Sequence, residues 1–250
     1  MTDDVLITDH SGGVREIMLN RAPVNALTPD FLNAIAAAAD WASADPEVHA
    51  VLLTSPFKVF SAGVDLREMQ GYDLAGEAQI IDGLNGGFLS LYRMPKPLVC
   101  AVNGAAIAGG LFFPLSADHT VTIPGAKFAL AELRVGASFP VGAMEIARAE
   151  LTPAGLRRLM LTGRPVDAET AVGLGIADQV VDPGALQETA LSMARDLAST
   201  PAETYATIKR QIRGDVIDRI EAVHRDGSDP VRAGWFTDAT KAAMAAALAR

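Results

Sequence analysis

The chain has 250 residues, 50% of them hydrophobic and 20% charged, which suits one globular domain with a large core. Its net charge of −9, with no basic stripe carrying interleaved aromatics, argues against a nucleic-acid partner. Cys100 is the only cysteine, so no internal disulfide forms and a reducing compartment is natural.

The start, MTDDVLITD, is acidic and lacks an apolar h-region, so no signal peptide is expected and a cytoplasmic location is. After the Ser11-Gly12-Gly13 turn, Val14–Leu19 reads as a strand, and residues 23–27 form a loop. Thr28 is a good N-cap, with Pro29 at the first helical position and Asp30 beside it. That helix turns Phe31, Leu32, Ile35 and Ala39 inward and stops before Pro46. Residues 49–54 read as a buried strand, leading through Pro56 and Lys58 to Phe60-Ser61-Ala62-Gly63-Val64-Asp65-Leu66. This puts a small residue and a glycine at a turn, and Asp65 reads first as a cap for the next turn. Ile80, Ile81, Leu84, Phe88, Leu91 and Tyr92 then have helical spacing. Gly71, Gly76, Gly83, Gly86 and Gly87 each cost a helix about 1 kcal/mol against alanine. The expectation is a helix with a mobile lead-in near a binding site.

Residues 97–117 carry no charge. Pro97, Asn103, the glycines and Pro114 argue against a spanning helix, so no membrane association is expected. PLVCAV reads as a fully buried strand, with Cys100 an inert thiol inside it, and Asn103-Gly104 breaks it. Gly109-Gly110 follows, then LFFPLSA: strand, tight turn, and a helix opening near Gly109. A helix opening presents unpaired N–H groups and the positive end of a dipole, a place to hold a negatively charged oxygen. The same glycines equally suit close helix–strand packing, and this stretch alone leaves both readings open.

Residues 119–123 read as another strand, and Phe128-Ala129-Leu130-Ala131-Glu132 leads onward to Gly136. Thr152-Pro153 opens a helix closed by Gly163, Asp167 caps another through Gly173, and 176–181 is a short strand. From Ala185 the pattern is helical, interrupted at Pro201, Gly214, Gly227 and Pro230. There is no fixed repeat. His10, His49, His119 and His224 lack ligand spacing, so no metal site is expected. GAAIAGG lacks the lysine of a phosphate loop and the spacing of a dinucleotide turn, and no G-x-S-x-G elbow appears.

FSAGVDL and NGAAIAGG, in this order and separation, resemble the two oxyanion-hole signatures of the crotonase family, the enoyl-CoA hydratases and isomerases. The resemblance runs from LNRAPVNAL to the C-terminal helices. It implies an α/β fold: a spiral of β-β-α turns over 1–195 and a helical trimerisation section over 196–250. It implies a homotrimer or hexamer, an acyl-CoA thioester as substrate, and no separate cofactor. Two backbone N–H groups, assigned by position to Ala62 and Gly109, would hold the thioester oxygen. Ala62, Gly63, Val64, Asp65, Leu66, Gly109 and Phe112 would line the substrate site. Arg21, Lys58, Arg67, Arg93, Lys96, Lys209 and Arg210 are the basic candidates for the coenzyme's phosphates.

Glu132 matches the family's catalytic glutamate. A carboxylate in a desolvated acyl pocket has a raised pKa, which suits a group that takes and returns a proton. The family's hydratases carry a second glutamate three residues after the oxyanion-hole glycine; here that position is Phe112. Phenylalanine excludes water instead of holding it. Phe112, with the PVNAL, IKRQIRG and WFTD stretches, resembles the isomerase branch. The alternatives are a hydratase drawing its second carboxylate from elsewhere, such as Glu145, and a member that binds acyl-CoA without turning it over.

Overall fold

The computed structural model describes residues 3–248. β1 (Val5–His10) and β2 (Val14–Leu19) form an antiparallel hairpin, followed by α1 (Pro29–Ala44), β3 (Ala50–Thr54) and β4 (Val59–Ser61). α2 (Leu66–Met69) and α3 (Leu74–Tyr92) lead to β5 (Leu98–Val102) and β6 (Ala105–Ile107). A 3-10 turn at Ala108–Leu111 runs into α4 (Phe112–Ser116), then β7 (His119–Thr122) and β8 (Lys127–Ala129). Next come α5 (Val141–Glu150), α6 (Pro153–Met160), β9 (Val166–Asp167), α7 (Ala168–Gly173) and β10 (Gln179–Val180). Three helices end the chain: α8 (Leu186–Ala198), α9 (Ala202–Asp226) and α10 (Asp238–Leu248). The sheets run β1-β2-β3-β5-β7-β10 and β4-β6-β8-β9, parallel except at β1–β2 and β8–β9. After the β1–β2 hairpin, the pairs β3–β4, β5–β6 and β7–β8 each place one strand in each sheet before a helix, which is the expected spiral of β-β-α turns.

β3 and β5 are buried along their whole length because both faces of the first sheet are covered. Alternate side chains serve two cores. Val51, Leu53, Cys100 and Val102 join the main core with α1 and α3. Ala50, Leu52, Val99 and Ala101 meet Leu186, Ala190, Leu191 and Ala194 of α8. Burial pushes the Cys100 thiol pKa up, which keeps it an inert thiol. α1 follows its sequence signals: Thr28 Oγ1 accepts from Phe31 N–H at 3.2 Å, and Phe31, Leu32, Ile35 and Ala39 are buried.

The structure departs from expectation in four places. The acidic start contains a strand, β1; only Val5 of it is buried, so its alternation is faint. α3 is a continuous 19-residue helix with an Asp73 cap; it begins at Leu74, ahead of the Ile80 where helical spacing is first legible, and so includes Gly76. Its Gly83 and Gly87 let α1 approach, since a β-carbon at either would lie 3.2–3.3 Å from Leu32. Gly214 lies inside α9 without interrupting it. Residues 105–107 form a strand of the second sheet before any helix begins.

α9 packs on the spiral and buries Ile217 and Ile220 together with Lys209 and Arg213. Lys209 Nζ donates to Asp118 at 2.6 Å, and desolvation pushes its pKa down to about 8. Arg213 donates to the carbonyls of Ser116 and Ala117 and lies over the Tyr92 ring. No helix among the described residues is long and apolar enough to cross a membrane.

Candidate active site

The loop at 21–27 holds the first glycine motif in place. Asn25 sits at φ 48°, fully buried. Its Oδ1 accepts from Arg21 N–H, and its Nδ2 donates to Ser55 Oγ at 2.9 Å and to the Phe60 carbonyl at 2.8 Å. Ser61 Oγ donates back to the Asn25 carbonyl at 2.8 Å. The asparagine of PVNAL is therefore a structural clamp. The Leu27 N–H donates to the Gly63 carbonyl, and the Asp65 N–H donates to the Leu27 carbonyl. This bridge leaves the intervening Val64 N–H without a hydrogen bond among the described residues.

Ala62 was the expected first donor, and the geometry corrects this: its N–H donates to the Val24 carbonyl at 3.0 Å. The free N–H beside the second motif is that of Val64. The two motifs are pressed together at Gly63, whose φ is 79° and whose added β-carbon would lie 2.8 Å from the Ile107 carbonyl oxygen. Across this contact the chain enters the 3-10 turn through Ala108 at φ 51°, an uncommon conformation for a residue with a β-carbon. Gly109 is the second residue of that turn, where an N–H has no acceptor further back. The neighbouring Gly110 serves packing, since a β-carbon there would lie 2.5 Å from the Ser61 carbonyl.

Val64 and Gly109 border a cavity of about 150 Å³. Ala62, Leu66 and Phe112 line it too. Gly63 lies behind the wall, and Asp65 is directed elsewhere. Asp65 Oδ1 accepts from the N–H groups of Arg67 and Glu68 as the cap of α2, and Oδ2 accepts from Arg21 at 3.1 Å. The capping role of Asp65 is what the structure shows.

Glu132 also lines the cavity, as the first residue of a 3-10 turn ended by Gly136 at φ 67°. It is 9% exposed, and its Oε2 has no hydrogen-bond partner among the described residues. Burial pushes its pKa up to about 8, opposed only by its own backbone N–H. It is the one titratable side chain among the described residues that line this cavity. Phe112 is 1% exposed, with its ring 5.4 Å from that of Phe88. Glu145, the alternative second carboxylate, is absent from the wall and is held by Arg148 at 3.0 Å and Arg219 at 3.3 Å.

The basic candidates divide. Arg93 pairs with Asp40 and Glu221, Lys209 with Asp118, and Arg210 with Asp218. Lys96 donates to the carbonyls of Ala42 and Asp45. Arg21 pairs with Asp65 and Glu68. Lys58 and Arg67, flanking the first motif, have no ion pair among the described residues.

Sequence reasoning missed part of the wall. Trp235 and Met244 belong to the C-terminal section and line the cavity. The signal available was the Trp235-Phe236 pair between Gly234 and Thr237.

The arrangement has two unpartnered N–H groups, one uncoupled carboxylate and apolar walls. It can hold an oxyanion and move a proton beside apolar walls. The profile of the enoyl-CoA hydratase/isomerase family matches residues 9–229. A probable enoyl-CoA hydratase of Rhizobium meliloti is 34% identical over 200 residues, covering 80% of this chain and 77% of that protein. A carnitinyl-CoA dehydratase of Citrobacter koseri is 33% identical over 225 residues, covering 85% of this chain and 81% of that protein. The crystal structure of human mitochondrial delta3-delta2-enoyl-CoA isomerase superposes with a TM-score of 0.91 at 28% identity, covering 99% of this chain and 98% of that one.

Proposed function

Since this chain belongs to the enoyl-CoA hydratase/isomerase family, we propose that it is a delta3-delta2-enoyl-CoA isomerase acting on fatty acyl-CoA thioesters. One observation carries the reading: Glu132 stands alone as a buried carboxylate in an apolar cavity, with Phe112 in its wall. The Val64 and Gly109 N–H groups hold the thioester oxygen. The Glu132 carboxylate takes a proton from C2, and the negative charge moves onto that oxygen as a dienolate. The carboxylic acid so formed returns the proton to C4, leaving the double bond between C2 and C3. Both carbons present one face to the same carboxylate, so one base suffices. Phe112 keeps water from the intermediate. The step is a proton transfer and calls on no metal or redox group.

The names of the two curated relatives favour a second reading, hydration or dehydration. That chemistry needs a second group to hold water, and Glu145, the candidate for it, is engaged by Arg148 and Arg219. The isomerase reading includes a cytoplasmic homotrimer or hexamer assembled partly through residues 196–250, for which the exposed Ile208 and Ile212 of α9 offer an apolar face.

The test is a panel of 2-enoyl- and 3-enoyl-CoA substrates followed by ultraviolet absorbance and mass. A 3-enoyl-CoA should gain the absorbance of a conjugated thioester with no change of mass. Efficient hydration of crotonyl-CoA by the unmutated protein would overturn the assignment.

A further inference from the structure

The cavity is small, and part of its wall comes from the far end of the chain. A volume of about 150 Å³ is what an apolar cavity needs to hold a benzene molecule, or about six carbon atoms. Glu132 supplies the only charge among the described residues of its wall, so apart from the two N–H groups assigned to the thioester oxygen the wall suits hydrocarbon.

The C-terminal wall is tied to the rest of the fold by hydrogen bonds. The buried Glu77 carboxylate of α3 accepts from the N–H groups of Trp235 and Phe236, at 2.9 and 3.3 Å. Trp235 Nε1–H donates to the Ser138 carbonyl at 2.9 Å, and its ring stacks on Phe236 at 4.8 Å. Thr240 Oγ1–H donates to the carbonyl of Gly136, the residue that ends the Glu132 turn. Met244 on the same α10 is 1% exposed. The segment that bears Trp235 and Met244 is thus bonded on one side to α3 and on the other to the turn carrying Glu132.

We propose that this site takes short, unsubstituted acyl groups, with a limit of about six carbons counted from the thioester carbon, and that Trp235 and Met244 set that limit. The proposal rests on the acyl-thioester reading of the cavity. It names the acyl class and the residues that select it.

The test is calorimetric titration with saturated butyryl-, hexanoyl-, octanoyl-, decanoyl- and dodecanoyl-CoA. These ligands cannot isomerise, so the result does not depend on turnover. For the unmutated protein, affinity should rise about fourfold per methylene group while the cavity fills, then stop rising near hexanoyl-CoA. Trp235→Ala should move that break to a longer chain. Met244→Ala should do the same, and it serves as an independent arm should Trp235→Ala melt. Affinity that keeps climbing to dodecanoyl-CoA in the unmutated protein overturns the proposal. So does an unmoved break in both folded variants. A break that is present and moves, in a protein that shifts no double bond, supports this proposal and refutes only the isomerase reading. No binding of any acyl-CoA refutes both.

Discussion

The Ala62 N–H donates to the Val24 carbonyl at 3.0 Å, while the Val64 N–H two residues on donates to nothing among the described residues. A loop distant in sequence has consumed one donor of the FSAGVDL turn and left another, on a residue that lines the cavity, unused. Val64→Pro should therefore remove one oxyanion donor and lower turnover by ~10²–10³, with acyl-CoA binding largely kept. Ala62→Pro deletes a bond that ties the turn to its neighbour, and should show first as a lower melting temperature. Steady-state kinetics beside thermal melts separate the two effects. Normal turnover in a folded Val64→Pro variant would place the carbonyl elsewhere.

This pair also marks where the sequence stops being legible. β3 and β5 can be read from it because both faces are covered, which makes their residues apolar in an unbroken run. Phe112 and Glu132 can be read because each stands at a fixed offset from a recognisable motif. The choice between Ala62 and Val64 cannot, because it depends on which carbonyl of residues 24–27 lies opposite. The Trp235 wall is hidden for a similar reason, since a segment far in sequence from the motifs reaches the cavity only through tertiary packing. β1 is faint because an edge strand with one buried residue has little pattern to read.

Phe112 is buried against Phe88 in the cavity wall. Phe112→Glu would put a second carboxylate beside the same cavity as Glu132 and, being smaller, leave room for a water. Two like charges in a desolvated site raise the pKa of one of the pair. The variant should melt at a lower temperature, isomerise more slowly and gain measurable water addition to 2-enoyl-CoA. Product mass reads the gain directly, and a variant with no added-water product would show that Phe112 alone does not separate the two chemistries.

Glu77 anchors the wall from the side of α3. Glu77→Ala leaves the N–H groups of Trp235 and Phe236 buried with their shared acceptor gone, at about 1–3 kcal/mol for each unsatisfied donor. The loss should be local as well as global. Amide hydrogen exchange should accelerate in residues 230–248 more than in β3 or β5. Uniform acceleration across the chain would mean that Glu77 supports the whole fold rather than this wall.

Glu132 should report its burial twice, with opposite signs. Its folded-state pKa is raised from 4.5 to about 8 by desolvation. Between these values the folded protein keeps a proton that the unfolded chain has lost, so unfolding free energy falls as pH rises through the window and levels off above it. At about 1.4 kcal/mol per unit, the full effect runs to a few kcal/mol. Glu132→Gln cannot titrate, so denaturant melts of the variant should lack this slope, and it should gain on the unmutated protein as pH rises. Catalysis needs the ionised form, so kcat/KM of the unmutated protein should climb with pH and reach half its plateau near 8. In the variant, turnover should drop by ~10²–10⁴, the range for a lost general base, with saturated acyl-CoA still bound. The two effects belong to one carboxyl group, so in the free protein the pH at which the stability slope levels off must coincide with the midpoint of the rate profile. A rate profile centred near the ordinary carboxylate range, or a Glu132→Gln variant that keeps the stability slope, would show that another group carries the proton.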